Sequence, residues 1–305
     1  MKINCFIPFQ SVSQVKETIL SLKESELVNK IYLLKENDNQ ETIEGCDILD
    51  IDTLRSTATI KKIASKADAE YTLIYTKSAS LRLGMFALDR MLQIAADSGA
   101  GMVYADHYQI ANNEKKNSPV ITYQKGSLRD DFNFGSVLIY KSDRLKKAVA
   151  DMETEYKFAG IYDLRLKVSQ QSEIVHINEY LYTEIENDTR KSGEKVFDYV
   201  DPKNREVQIE MEKACTEHLN KIGAYLAPNF RKVEFDQVNF EYEASVIIPV
   251  RNRIKTISDA IKSVLSQKTN FKFNLIIVDN YSTDGTTEAI DKFTDERLIH
   301  VIPEN

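Results

Sequence analysis

The sequence predicts an α/β fold: a mostly parallel sheet flanked by helices, then a helical connector, then a partial second βαβ unit. Three observations carry this. Short apolar runs alternate with patterns of helical period. The stretches that begin near Ile3 and near Ser245 open in the same way. Between them lies a long polar region.

The first strand is expected at Ile3 to Pro8, an apolar run closed by a proline. Val12, Val15, Ile19 and Leu22 then recur at helical spacing. Ile31 to Leu34 reads as a strand, Ile60, Ile63 and Ala64 as a helix face, and Tyr71 to Tyr75 as a strand. Met85, Leu88, Met91, Leu92 and Ala95 mark a helix, followed by Met102 to Tyr104. Strands separated by helical patterns of this length imply βαβ units. Asn112 to Ser118 reads as a polar turn. Val120 to Tyr123 and Val137 to Tyr140 read as strands, Leu145 to Met152 and Tyr162 to Val168 as helices, and Ile174 to Leu181 as an edge strand with a turn.

From Thr183 to Glu243 the chain is polar. A loop is expected at Thr189 to Glu194. A helix is expected within Asn204 to Ala227, where Val207, Met211, Ala214, Leu219 and Ile222 share a frame that Pro228 ends. The βαβ pattern then restarts, with strands at Ser245 to Pro249, Leu275 to Val278 and Leu298 to Val301, and helices around Ile261 and after Thr286. Pro8 and Pro249 lie 241 residues apart, Ser21 and Ser263 lie 242 apart, and Leu34 and Val278 lie 244 apart. Such a small drift is what loop insertions produce in tandem copies. The expected domains are therefore 1–184, a connector over 185–243, and the opening half of a second copy over 244–305, too short to close a doubly wound domain.

With 42% hydrophobic and 29% charged residues and a net charge of −7, the chain is an ordinary globular protein. That charge argues against nucleic acid as a partner, because phosphate backbones need clustered cations. No apolar run reaches the roughly 18 residues of a membrane span. Three cysteines without a C-x-x-C pair, and strand-like residues from Ile3 onward, predict a cytoplasmic protein without a secretion signal, compatible with peripheral work at a membrane.

Three segments carry a resemblance. Ala-Ser-Val-Ile-Ile-Pro-Val-Arg-Asn-Arg from Ala244, Ile-Lys-Ser-Val-Leu-Ser-Gln from Ile261, and Leu-Ile-Ile-Val-Asp-Asn-Tyr-Ser-Thr-Asp-Gly-Thr from Leu275 occur in this order and spacing. Together they are similar to the start of the family 2 glycosyltransferases, which have the GT-A fold. Ligands of open α/β sheets bind beyond the carboxyl ends of the strands, where Pro249 and Asp279 are expected. The resemblance implies base and ribose contacts from Pro249, Val250, Arg251 and Asn252 and from Asp279, which could accept a uracil N–H. Ser282 and Asp284 stand in a turn that leads into a helix and would organise the loop under the nucleotide. Taken singly, Asp279 and Asp284 also suit a strand end and a helix cap.

The family implies a nucleotide-sugar donor, most naturally a UDP-sugar, a glycan or polysaccharide acceptor, and a divalent metal (Mn or Mg). The metal-binding Asp-x-Asp and the catalytic base of the family fall beyond Asn305, so 244–305 is expected to hold half a nucleotide site, and the chain to show little turnover.

The first unit resembles the family less closely. Phe9 stands in the expected proline loop. Lys35 replaces the base-contacting aspartate, with Glu36 or Asp38 as substitutes. Thr76-Lys77-Ser78 replaces the acidic metal motif, so no metal ligand is expected there, and Lys77 could neutralise a diphosphate directly. Tyr104-Ala105-Asp106 and Asp130-Asp131-Phe132 resemble later family segments. Gly160-Ile161 stands where an acidic pair is expected, ahead of Tyr162-Asp163-Leu164. An inverting transfer needs a carboxylate to take the acceptor's proton, which leaves Asp106, Asp130, Asp131 and Asp163 as candidates. The alternative is a catalytically inactive GT-A-like scaffold or acceptor-binding module. A nucleotidyltransferase would share the sheet but lacks its Gly-rich phosphate loop here.

Overall fold

The computed structural model describes residues 1–36, 41–111, 114–185, 205–231 and 240–304. Asp38 and the run Thr189 to Glu194 lie outside them. The chain forms two compact units, Met1–Ala227 and Pro228–Asn305.

In the first unit β1 (Ile3–Phe9) is buried on both faces, as a central parallel strand must be. α1 (Val12–Lys23) starts where the Ser11 hydroxyl accepts the Gln14 N–H, and it buries Val15, Thr18, Ile19 and Leu22. β2 (Val28–Lys35), β3 (Asp47–Asp50), α2 (Thr57–Lys66), β4 (Tyr71–Tyr75), β5 (Ser80–Leu83) and α3 (Ala87–Ser98) follow. Then come β6 (Met102–Ala111), β7 (Glu114–Ser118), β8 (Val137–Lys141), α4 (Ser142–Ala150), α5 (Gly160–Gln171), β9 (Ile174–Ile185) and α6 (Arg205–Lys221).

These strands make one sheet in the order β3-β2-β1-β4-β8-β6-β9-β5, with β7 paired to β6. β3, β2, β1 and β4 run parallel. β8 runs antiparallel to both β4 and β6, and β9 returns parallel to β6. One face packs Ile3, Cys5, Ile7 and Phe9 against α1 and α3. The other packs Phe6, Tyr32 and Tyr104 against α2, α4 and α5. α6 docks on α5 through Tyr156, Tyr162, Leu166 and Ala214.

Three local expectations are corrected, and two short strands are added. The polar turn expected over Asn112 to Ser118 contains strand β7, which pairs with β6 from His107 to Ala111. Val120 to Tyr123 is not a strand, because its backbone is held by side chains. The Val120 N–H donates to Asp106 at 2.9 Å, the Tyr123 N–H donates to the Tyr104 hydroxyl at 2.7 Å, and that hydroxyl donates to the Ile121 carbonyl at 2.8 Å. β9 is an interior strand between β6 and β5, not an edge. β3 and β5 are too short, at four residues each, to stand out as apolar runs.

The second unit comprises β10 (Ala244–Val250), α7 (Ile257–Leu265), β11 (Phe273–Asp279), α8 (Thr286–Ile290) and β12 (Leu298–Val301). The strands are parallel in the order β10-β11-β12. Val250, Ile257, Ile261, Leu275, Ile277 and Ile290 form its core. The order matches β1-β2-β3, and so does the register: Phe9 pairs with Lys35, and Val250 with Asp279. The two units share this strand order and this register.

Candidate functional site

In the second unit the loops that follow β10 and β11 are bonded to each other. The Asn252 N–H donates to the Ser282 hydroxyl at 2.9 Å, and the Thr283 N–H donates to the Asn252 side-chain oxygen at 2.8 Å. The Arg253 N–H donates to Thr286 Oγ1 at 2.8 Å, and the Ile254 N–H to Asp284 at 3.1 Å. Asn252, Tyr281 and Gly285 take left-handed backbone angles of 53°, 54° and 92°, which turn the two loops toward each other.

Asp279 lies beneath them with no exposed surface. Its carboxylate accepts the Ser282 N–H at 3.0 Å and the Thr287 hydroxyl at 2.5 Å. Burial opposes its ionisation, but the bonds from Ser282 and Thr287, helped by His300, outweigh that and hold its pKa below the usual carboxylate range. Asp284 is held low chiefly by the Thr286 hydroxyl. Asp279 and Asp284 therefore organise the loops, while Pro249, Arg251 and Asn252 face solvent and Val250 is buried.

The first unit has a pocket of about 1080 Å³ beyond the carboxyl ends of β1, β2 and β4. It brings together Phe9, Glu36, Lys77, Asp130 and Asp131, five of the seven first-unit candidates. Asp106 and Asp163 do not line it. Asp106 is buried, and one of its oxygens accepts both the Val120 N–H and a bond of 2.8 Å with His176 Nε2. The other ring nitrogen of His176 lies 3.0 Å from the Thr122 hydroxyl. This line of three side chains pins the 119–124 segment against β6 and β9.

Asp163 is buried at the seam of α5 and α6. Burial, with Glu217 adding to it, pushes its carboxyl up to about 6 against the pull of Lys167, 3.7 Å away. A carboxyl that titrates near neutrality suits a general base, but this one is walled off from the pocket. At the pocket the Arg129 guanidinium pairs with Asp131 at 2.8 Å and holds its carboxyl below the ordinary range, which makes it a weak proton acceptor. Asp130 is exposed and accepts the Asp131 N–H at 3.1 Å.

Lys77 does not simply project into the pocket. Its ammonium is 2.5 Å from Glu184, a carboxylate with no exposed surface that His107 also approaches at 3.4 Å. Glu36 accepts the Leu54 N–H at 2.8 Å. Gly160 has a steric reason to be glycine. A Cβ there would lie 2.6 Å from the backbone of Ser56 and Thr57. The Gly160 N–H donates to the Arg55 carbonyl at 2.8 Å.

Three residues that sequence reasoning did not single out shape this site. Glu184 neutralises Lys77. Arg165 stands among Tyr162, Tyr123 and Phe134 and donates to the Ser127 and Arg129 carbonyls at 2.6 and 2.7 Å. Glu210 of α6 accepts the N–H groups of Lys157, Phe158 and Ala159 at the start of α5. Their signal was weak: a charged residue on an alternating strand, or on a polar helix, looks solvated until its partners are known. Among the described residues, no group of three His, Cys, Asp or Glu side chains is placed to hold a metal, and no helix is long and apolar enough to cross a membrane.

Residues 245–305 match the family described as Glycosyl transferase family 2. No curated protein matches the chain. Among solved structures the chain is similar to S. aureus TarS 1-349, at 11% identity and a TM-score of 0.43 over 60% of each chain. It is also similar to S. aureus TarS 1-349 in complex with UDP-GlcNAc, at 13% identity and a TM-score of 0.46, over 74% of this chain and 73% of that one. The chain thus spans less than two thirds of the first of these structures.

Proposed function

We propose, from the relationship of residues 245–305 to the family 2 glycosyltransferases, that the chain is part of a nucleotide-sugar-dependent glycosyltransferase. Its second unit supplies the nucleotide-facing loops. The donor is a UDP-sugar, the acceptor a glycan or polysaccharide, and the setting cytoplasmic. The observation that carries this reading is the mutual bonding of the 250–256 and 279–287 loops around buried Asp279. Two loops fixed at strand ends before any ligand arrives are what a crevice binder needs, because less ordering is left to binding. Pro249, Arg251 and Asn252 make the contacts in this reading, and Asp279, Ser282 and Asp284 position them.

Calorimetric titration of the chain with UDP, with and without manganese, tests this. Binding weakened at least tenfold by Asn252→Ala is the expected result. Binding that ignores Asn252→Ala, or no binding, overturns it.

A second reading concerns the first unit alone, as a module without turnover. The backbone at Ser56 and Thr57 leaves no room for an acid at position 160, and Lys77 is engaged by Glu184. Sugar transfer by the purified chain that persists in Asn252→Ala and is abolished by Lys77→Ala would rule this out.

A further inference from the structure

The first unit's pocket lies where a nucleotide would enter an open α/β sheet, yet its chemistry is different. Its charges largely cancel. Lys77 is engaged by buried Glu184, Asp131 is paired with Arg129, and Arg165 spends its donors on backbone carbonyls. The carboxylates of Glu36 and Asp130 are exposed at its wall. A nucleoside diphosphate would bring at least two negative charges beside them, against the one exposed lining cation Arg55, and among the described residues no group of three His, Cys, Asp or Glu is placed to hold a compensating metal.

The rest of the lining is aromatic. Phe132 and Phe134 lie 4.4 Å apart between ring centroids, and each is half-buried. Tyr123 supports both from behind, and Tyr104 meets Phe134 edge-on. Phe158, also half-buried, lines the pocket just ahead of α5. Ring faces held rigid by packing offer apolar contact at little entropic cost. Exposed carboxylates accept hydroxyl donors without needing a counter-charge. A pyranose presents this combination: a face of C–H bonds and a rim of hydroxyls. At about 1080 Å³ the pocket is slightly above the range of about 300–1,000 Å³ for small-molecule sites, so it suits more than one ring.

We propose that this pocket binds a neutral oligosaccharide, stacked on Phe132, Phe134 and Phe158 and hydrogen-bonded by Asp130 and Glu36, and that it does not bind the nucleotide. The inference rests on the reading above only in taking glycans as the substrate class.

The test titrates the intact chain with maltotetraose, chitotetraose and UDP in separate experiments, and repeats each with Phe158→Ala, Asp130→Asn and Asn252→Ala. At least one tetrasaccharide binds, and Phe158→Ala and Asp130→Asn each weaken it about tenfold with the melting temperature unchanged. UDP binding is insensitive to both and falls only with Asn252→Ala. Three results would overturn the proposal: neither tetrasaccharide binds, saccharide binding ignores both pocket variants, or UDP binding falls with them. Absence of UDP binding beside intact saccharide binding would sink the nucleotide reading and leave this one standing.

Discussion

Lys35 and Asp279 occupy the same place in the two units. Each ends the second strand of its sheet and pairs with the last residue of the first strand, Phe9 and Val250 respectively. The charge is reversed between them. Lys35 is satisfied by Asp50 of β3 at 3.0 Å, whereas Asp279 is satisfied by Ser282 and Thr287. The same strand end thus fastens to a neighbouring strand in one copy and to its own following loop in the other. The loops that follow β10 and β11 depend on that difference.

Asp279→Ala should therefore loosen the loop. It leaves the Ser282 N–H and Thr287 hydroxyl without their acceptor, a loss of about 1–3 kcal/mol. Because the folded carboxyl titrates below its unfolded value of about 3.9, its contribution is complete above that value and is lost as pH falls through the lowered one. Hydrogen exchange over residues 279–287 should speed up in the variant at pH 7. In the wild type the protection should fade only below about pH 4. Equal exchange in both proteins at pH 7 would show that Asp279 does not hold the loop.

Gly160 permits a sharper test of the first unit. Adding a side chain drives a Cβ to within 2.6 Å of backbone atoms at Ser56 and Thr57, which have no flexible side chain to swing aside. Gly160→Ala should cost about 1–3 kcal/mol, as overpacking does, with a fall of roughly 2–4 °C in melting temperature per kcal/mol. Gly160→Asp should cost at least as much and restore no sugar transfer. An undiminished melting temperature would mean that the contact between α5 and the start of α2 yields easily.

The contrast between these residues explains what could be read from the sequence. Ile3–Phe9 and Phe273–Asp279 are visible because buried parallel strands are nearly continuous apolar runs. Ala244–Val250 is visible as an apolar run too, although most of its residues are exposed. β7 is not, since Glu-Lys-Lys-Asn-Ser has no apolar face and is a strand only because β6 pairs with it. The glycine at position 160 can be seen in the sequence, but the backbone of residues 55–57 that presses on it cannot. Likewise Lys77 reads as a loop cation until β9 brings Glu184 to it from 107 positions away.

Glu210 is a second long-range partner. It accepts three N–H groups at the start of α5, at 2.6 Å from Phe158, 3.1 Å from Ala159 and 3.2 Å from Lys157. A carboxylate there answers both the unpaired donors and the positive end of the helix. Its neighbours Val207 and Met211 line the pocket, so the bond also sets one wall. Glu210→Ala should cost about 0.5–2 kcal/mol, the range of a lost N-cap, and Glu210→Gln less. Limited proteolysis should cut within 205–221 faster in the alanine variant. Unchanged cleavage would mean that Tyr162, Leu166 and Ala214 suffice to hold α6.

The same seam holds a carboxyl that burial perturbs strongly. Asp163 has both oxygens buried without a hydrogen-bond partner and titrates at about 6. Its unfolded value is about 3.9. A raised folded value means that the protonated form is favoured on folding, so its contribution is complete below about pH 3.9 and is lost as pH rises to about 6. Wild-type stability should thus fall between those values relative to Asp163→Asn, which carries no titrating group there. The relative change should be about 1–3 kcal/mol, since Lys167 partly offsets the burial. Urea unfolding of both proteins at pH 4, 5, 6 and 7 measures it. A difference between the two that stays constant across this range would show that Asp163 ionises normally, with Lys167 or water compensating for its burial.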